Sequence, residues 1–381
     1  MQKKIPLLKN ISENKTILVS KQETIQGEIS YKIVTKDKLK TMGLKHFLFF
    51  IAFNLMFLLL MVDSLLAQSK GITAYTSLHE PVARAVFNQF EKESGLKVFF
   101  VRLSTGEAVS KLDAERLNPQ VSIWFGGVGI GHIRASNKGL SVANPTSATK
   151  HLEQKYKDKD HHWAGIYAAP LVFEYNTIML KRYDLPIPVS WRDLTKAEYK
   201  GHIQMANPGF SGTAYNILTT IVKIFGETSA FKYVQALNRN IPMYSRSGSA
   251  PGKRAAIGEV TIAIGYAHDA VKFISEGIPL AIQFPIEGTG YEIAAVSLIK
   301  NGPEDETENA KKLYDWALGE SAAKVYVSQS FAVPFVNVPL AKGAIPISEV
   351  KTVEQDDDWA AKNRSRLVEK WHNVVTSNHS E

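Results

Sequence analysis

Two clusters in this chain bring together groups able to hold a small charged molecule. The first is Asn207-Pro208-Gly209-Phe210-Ser211-Gly212-Thr213-Ala214. Ser211 and Thr213 offer hydroxyls, and Gly212 lets the backbone come close to a ligand. The helix expected to open here presents free N–H groups and the positive end of its dipole, an anion cradle suited to phosphate or carboxylate. An ordinary serine cap accounts for Ser211 equally well, but not for Gly212 flanked by two hydroxyls. Thr76-Ser77, Ser104-Thr105-Gly106 and Ser247-Gly248-Ser249 repeat the theme. Each is weak alone, because Ser and Thr begin helices everywhere. Four such turns at strand-to-helix junctions describe a hydroxyl-rich cleft, with Ser77 and Thr105 as further candidates.

The second cluster is Tyr266-Ala267-His268-Asp269, at the end of an apolar run that reads as a buried strand. A neutral ring nitrogen and a carboxylate accept hydrogen bonds from sugar hydroxyls, and they also ligate metals. An aspartate helix cap beside an exposed histidine is the plainer alternative. Glu287-Gly288-Thr289-Gly290-Tyr291-Glu292 adds two acids, Glu287 and Glu292, as hydroxyl acceptors or as solvated charges at a hinge. His151 and His161-His162 lie in a charged stretch and read as a solvated loop, since no third ligand stands at a fixed spacing. There is no HExxH, no P-loop, no G-x-S-x-G and no recognisable nucleophile–base pair. The chain is therefore expected not to be an enzyme and to carry no cofactor. An exported phosphate-ester hydrolase using His268 or Asp269 is the competing reading from another class.

These clusters need elements to place them. Strands are expected at 71–76, 96–103, 121–125, 167–175, 202–206, 259–266, 278–285 and 291–299, from their β-branched and aromatic runs. Helices are expected at 81–93, 104–117, 211 onward, 229–239, 268 onward, 304–319, 321–329 and 357–374. Another follows Gly126-Gly127 and ends before Gly139. Strand–helix alternation implies a mostly parallel sheet covered by helices. The expected fold class is α/β with two lobes, 68–166 plus 291–381 and 167–290, joined by two crossing strands. A ligand in such a fold sits beyond the carboxyl ends of the strands, which is where both clusters fall.

Composition narrows the setting. The chain has no cysteine, which excludes disulfides and thiolate chemistry. The net charge of +8 is mostly local. Residues 1–41 hold nine lysines and four acids, while 42–67 are neutral, so the rest carries about +3 and makes no case for nucleic acid. Met42–Ala67 reads as a secretory signal peptide: a basic start at Lys45, an apolar run from Phe47 to Val62, a polar break, and a small residue at the cut. The run is shorter than a membrane span requires, so cleavage after Ala67 and a periplasmic location are expected, with a membrane anchor as the alternative. Residues 1–41 read as an upstream leader or a basic cytoplasmic tail without the patterning of a packed domain.

Several stretches together resemble the periplasmic substrate-binding proteins of ABC transporters, in the branch of ferric-ion, phosphonate and sugar-phosphate binders. They are ITAYTS (72–77), IWFGG (123–127), PLVFEYNT (170–177), ANPGFSGTAYN (206–216), PIEGTGYEIAAVSLIKNG (285–302) and ENAKKLYDWALGESA (308–322). The resemblance implies the two-lobed type II binding-protein fold, capture without chemistry, a monomer, and delivery to a permease and ATPase complex. Ferric-ion binders of this branch carry adjacent tyrosines where this chain has only Tyr266, so Tyr266 and His268 would be the iron ligands in that alternative. The His-Asp pair and the later GTGYE are similar to the hexose-phosphate binders. Carried over, His268, Asp269 and Glu292 would hold the sugar, and Ser211, Gly212 and Thr213, with Ser77, the anion.

Overall fold

A computed structural model describes residues 18–23, 29–34, 49 and 71–377. The expected signal segment lies outside the described residues except for Phe49. The chain divides into two compact units at Ser69 and Lys70. In the first, β1 (Leu18–Glu23) pairs antiparallel with β2 (Ile29–Val34). The sequence reading expected no such element; Ile29, Tyr31 and Ile33 alternate with polar residues, the period of a strand.

In the second unit, three strand–helix repeats come first: β3 (Gly71–Thr76), α1 (Glu80–Ser94), β4 (Lys97–Arg102), α2 (Thr105–Ala114), β5 (Ile123–Val128) and α3 (Gly129–Asn137). The helix ends follow local rules. Pro81 sits in the first turn of α1, and Gly95, at φ +72°, closes it by donating its N–H to Glu91. At the start of α2, Glu107 accepts from the Ser104 N–H at 3.0 Å. β5 continues past the expected stop at Gly126-Gly127 to Val128, and both glycines take positive φ. A Cβ on Gly127 would stand 2.8 Å from the Ser77 Cβ, so the close approach of β5 to the end of β3 requires glycine there.

The chain then reaches β12 and β7, which organise the sheet. β7 (Ala164–Asn176) is buried along its whole length. Its first half pairs with β12 (Tyr291–Ile299); its second half pairs with β10 (Ile262–Tyr266) and β11 (Leu280–Gln283). The main strand order is β4-β3-β5-β12-β7-β10-β8-β9, with β8 (Ile203–Ala206) and β9 (Tyr244–Ser245) at the far end. A short β6 (Ser141–Val142) also pairs with β12. β7 leads the chain out of the first group of strands, and β11 and β12 bring it back along the two ends of β7.

The sheet is mixed, which corrects the expectation of a mostly parallel one. β3 is parallel to β4 and β5, and β8 to β9 and β10, but every pairing of β7 and β12 is antiparallel. Strand–helix repeats generate the parallel groups; the out-and-back crossings must run against them.

The remaining helices are α4 (Thr177–Arg182), α5 (Gly212–Phe225), α6 (Glu227–Asn238), α7 (Ala250–Ala256), α8 (Ala267–Ser275), α9 (Thr307–Ala317), α10 (Glu320–Ser328) and α11 (Asp357–Ser377). The main core runs continuously under them, from Ile72 and Phe125 through Ile166 and Phe173 to Ile264 and Leu367. α11 packs on both α3 and α6. Its buried Arg364 donates to the Pro208 and Gly209 carbonyls, each at 2.9 Å, and lies over the Tyr215 ring. The last helix therefore braces the turn before α5 from behind.

Candidate functional site

Six helices begin at one cavity. The residues just ahead of α1, α2, α3, α5, α7 and α8 are His79, Ser104, Val128, Ser211, Ser249 and Tyr266, and all six line it. This follows from the topology: each of these helices follows the carboxyl end of a strand or short turn, and those ends face one another across the sheet. Six helix starts, with the positive ends of their dipoles, thus border one space, although some of their first-turn N–H groups already have partners, as Gly106 has in the Phe210 carbonyl.

The main candidates from the sequence lie there: Ser77, Thr105, Ser211, Gly212, Thr213, Tyr266, His268, Asp269 and Glu292 all border the same cavity. Glu287, the other acid considered at the hinge, does not. It accepts from the Ser190 hydroxyl at 2.5 Å and the Trp191 N–H at 3.2 Å, holding a turn together. The histidines at 151, 161 and 162 also stand away from it; His162 Nδ1 is 3.0 Å from the Ser141 hydroxyl.

The hydroxyl side is pre-ordered. Trp124 Nε1 donates to Ser77 Oγ at 3.1 Å, the Val128 N–H donates to Thr105 Oγ1 at 3.3 Å, and the Ala214 N–H donates to Ser211 Oγ at 3.2 Å. Serine capping of α5 is therefore real, and it coexists with the cradle. Gly212 meets Thr105 closely: a Cβ on it would fall 2.5 Å from Thr105 Oγ1.

Arg102 supplies the positive charge that the sequence reading missed. It ends β4, donates to Ser104 Oγ at 3.3 Å and to Ser247 Oγ at 3.1 Å, and has no carboxylate within ion-pair distance among the described residues. Burial lowers its pKa, as expected for a guanidinium drawn out of water. The rule that ligands gather at strand ends would have flagged it, since Arg102 precedes the Ser104 turn. His79 was reachable by the same rule. Tyr167, mid-strand in β7, carried no local signal.

The opposite wall holds the titratable groups. His79 Nε2 and His268 Nε2 stand 3.2 and 3.3 Å from Asp269 Oδ1. Burial opposes the charge on Asp269, but the neighbouring imidazoles and Lys253 outweigh it and hold the pKa at about 2. Burial likewise drives His79 down to about 4, against the pull of Asp269, so its ring is neutral at pH 7. Glu292 is buried, and burial, then the Asp269 charge, raise its pKa well above the usual carboxylate range. The same wall thus pushes its two acids in opposite directions, Asp269 toward ionisation and Glu292 toward holding its proton. The His268 ring lies 4.2 Å from Phe331 and 5.7 Å from Tyr266, centroid to centroid.

Two observations bear on metal. Ligand atoms of His79, His268 and Asp269 lie within 4.8 Å of one another, so a divalent ion could be held there by two imidazoles and a carboxylate. Tyr266 is outside this trio. Its hydroxyl accepts from Asn216 Nδ2 at 2.9 Å, and burial followed by Glu292 pushes its pKa well above 10, which disfavours a phenolate.

The arrangement is narrow. The cavity holds about 40 Å³, room for a few waters. Arg102 reaches Ser247, Ser104 Oγ donates to the Arg246 carbonyl at 3.3 Å, and Arg246 pairs with Glu107, so strand ends from the two groups are drawn together over it.

The chain matches, over residues 133–357, the family described as bacterial extracellular solute-binding protein. A Haemophilus influenzae protein is 31% identical over 316 residues, covering 80% of this chain and 91% of its own length. A putative 2-aminoethylphosphonate-binding periplasmic protein of Salmonella typhimurium is 24% identical over 306 residues, 76% of this chain and 87% of its own. Among solved structures, the periplasmic binding protein AfuA from Actinobacillus pleuropneumoniae, with fructose-6-phosphate bound, is 31% identical with a TM-score of 0.77. The match covers 81% of this chain and 99% of AfuA.

Proposed function

This chain belongs to the bacterial extracellular solute-binding protein family, and we propose that within it the molecule captures a phosphorylated organic anion, a sugar phosphate, in the periplasm. It then delivers that ligand to an ABC permease and its ATPase. The family is one of solute-binding proteins and not of enzymes, which argues against the hydrolase reading.

The observation that carries this reading is the convergence of six helix starts and Arg102 on one cavity. Dipole ends and N–H groups favour anions without requiring a particular sequence of charges. In this reading the phosphate sits among Ser77, Arg102, Thr105, Ser211, Gly212 and Thr213. The sugar hydroxyls face His268, Asp269 and Glu292, two of them acids whose pKa values the site shifts in opposite directions. The lobes divide as 68–166 with 291–381, and 167–290. They must part before a hexose phosphate can enter, because the closed cavity is too small for one. Export follows cleavage after Ala67, and the protein acts as a monomer.

Calorimetry with glucose 6-phosphate, phosphoglycerate, aminoethylphosphonate and ferric citrate tests the proposal. Tight binding of the hexose phosphate is expected. Heat with ferric citrate alone, with a red-brown colour, would instead favour iron held near His79, His268 and Asp269. Steady release of inorganic phosphate would favour a hydrolase.

A further inference from the structure

The ligand cavity has a neighbour that shares its wall. A second space of about 200 Å³ lies on the outer side of His79, Ser249, His268 and Asp269, residues that border both. His79 and Asp269, in contact at 3.2 Å, belong to this shared wall. The outer space is floored by apolar side chains, Pro81 and Phe331 among them, and Lys253 and Lys272 complete it.

Lys253 lies near enough to Asp269 for the two charges to act on each other, but neither lysine is held in an ion pair among the described residues. Lys272 Nζ donates to the Gln329 side-chain carbonyl at 2.9 Å. Asp269, the acid shared by both spaces, is already committed to two imidazoles.

We propose that this outer compartment is a second anion subsite, so that the protein prefers ligands carrying a negative group at each end. The inference rests on the reading of the inner cavity as a phosphate site. The phosphate at the cradle and the hydroxyls at His268 and Asp269 fix the direction of the ligand. Its far end then points at the shared wall, and turning His79 aside joins the two spaces. Beyond it, two unpaired ammonium groups face whatever the ligand ends in. A bisphosphate and a phosphorylated sugar acid meet this requirement with the same chemistry; a monophosphate leaves the lysines to water.

Calorimetry with glucose 6-phosphate, glucose 1,6-bisphosphate and 6-phosphogluconate on the mature chain measures the preference within one protein. Glucose 1,6-bisphosphate, 6-phosphogluconate or both are expected to bind at least 10-fold more tightly than glucose 6-phosphate. Which of them does so tells a phosphate from a carboxylate. In Lys253→Gln/Lys272→Gln that advantage should fall to about 2-fold or less. Because each protein is its own reference, a loss of folding cannot mimic this result. If glucose 6-phosphate binds and neither ligand with a second acidic group gains, or if the advantage survives in the double variant, the second subsite is overturned while the inner site stands. If no phosphate ester binds, both fall together.

Discussion

Arg246 Nη2 lies 2.6 Å from Glu107 Oε1, joining the loop before α7 to the first turn of α2 beside the Ser104 and Ser249 turns that line the candidate cavity. The arginine is largely exposed, and its guanidinium also stacks 4.1 Å from the centroid of the Phe210 ring. Exposed pairs of this kind contribute about 0.2–1 kcal/mol. Glu107→Gln is therefore expected to weaken ligand binding about 2- to 5-fold, mainly through faster release. The difference should shrink as salt is raised from 20 to 500 mM. Stopped-flow release of a bound sugar phosphate checks this; an unchanged off-rate would mean that the pair does not hold the closed form.

Among the described residues, Arg102 has only hydroxyl partners. A charge-assisted bond to an anion contributes roughly 1.5–3 kcal/mol. Arg102→Gln should cost about 10- to 100-fold in affinity for any phosphate ester, with a smaller effect on thermal stability. Equal affinity by calorimetry would remove Arg102 from the anion site.

Gly212 sits where two halves of the site touch. An alanine there would place its Cβ 2.5 Å from Thr105 Oγ1 and 2.8 Å from Val128 Cγ2. Gly212→Ala is expected to wedge α5 away from α2, lowering affinity more than 10-fold and enlarging the radius of gyration seen by small-angle scattering in the presence of ligand. Full affinity with an unchanged scattering profile would show that the contact is not needed for closure.

Glu174 is fully buried between the Gly252 and Gly265 backbones, and neither of its carboxyl oxygens has a hydrogen-bond partner. Burial, then the charge of Asp269, raise its pKa well above the ordinary value of 4.5. The folded state keeps this proton where the unfolded chain releases it. Wild-type stability is thus favoured at low pH and lost as pH rises from about 4.5 through the folded pKa, by up to ~1.4 kcal/mol per unit. Glu174→Gln removes that slope. Urea unfolding should show no gain for the variant at pH 4 and a growing gain from pH 5 to 8. A difference that does not change with pH would refute the assignment.

Most of the elements were legible in the sequence because their signals are local. The strand 71–76 and the strand 291–299 were read at their observed bounds, from apolar runs between turn residues. Boundaries blurred where the signal weakened: the expected strand at 259–266 is three residues shorter at its start, and the helix at 104–117 ends at Ala114. The direction of the pairings was not legible. Nothing local in Tyr167–Tyr175 or Tyr291–Ile299 says that these strands run against their neighbours, because that depends on where the chain goes next.

The site divides the same way. By itself the sequence determined the chemistry on offer, namely hydroxyls and glycines at helix starts, a His-Asp pair, and acids after a turn, because residue type and capping position are properties of a few adjacent residues. Only the tertiary structure decided that Ser77, Ser211 and Asp269 face one cavity and Glu287 does not. It alone brought Arg102 and His79 to them and shifted the pKa values of Asp269 and Glu292 in opposite directions. Burial and the field of distant charges are sums over the whole packed molecule, so no stretch of sequence contains them.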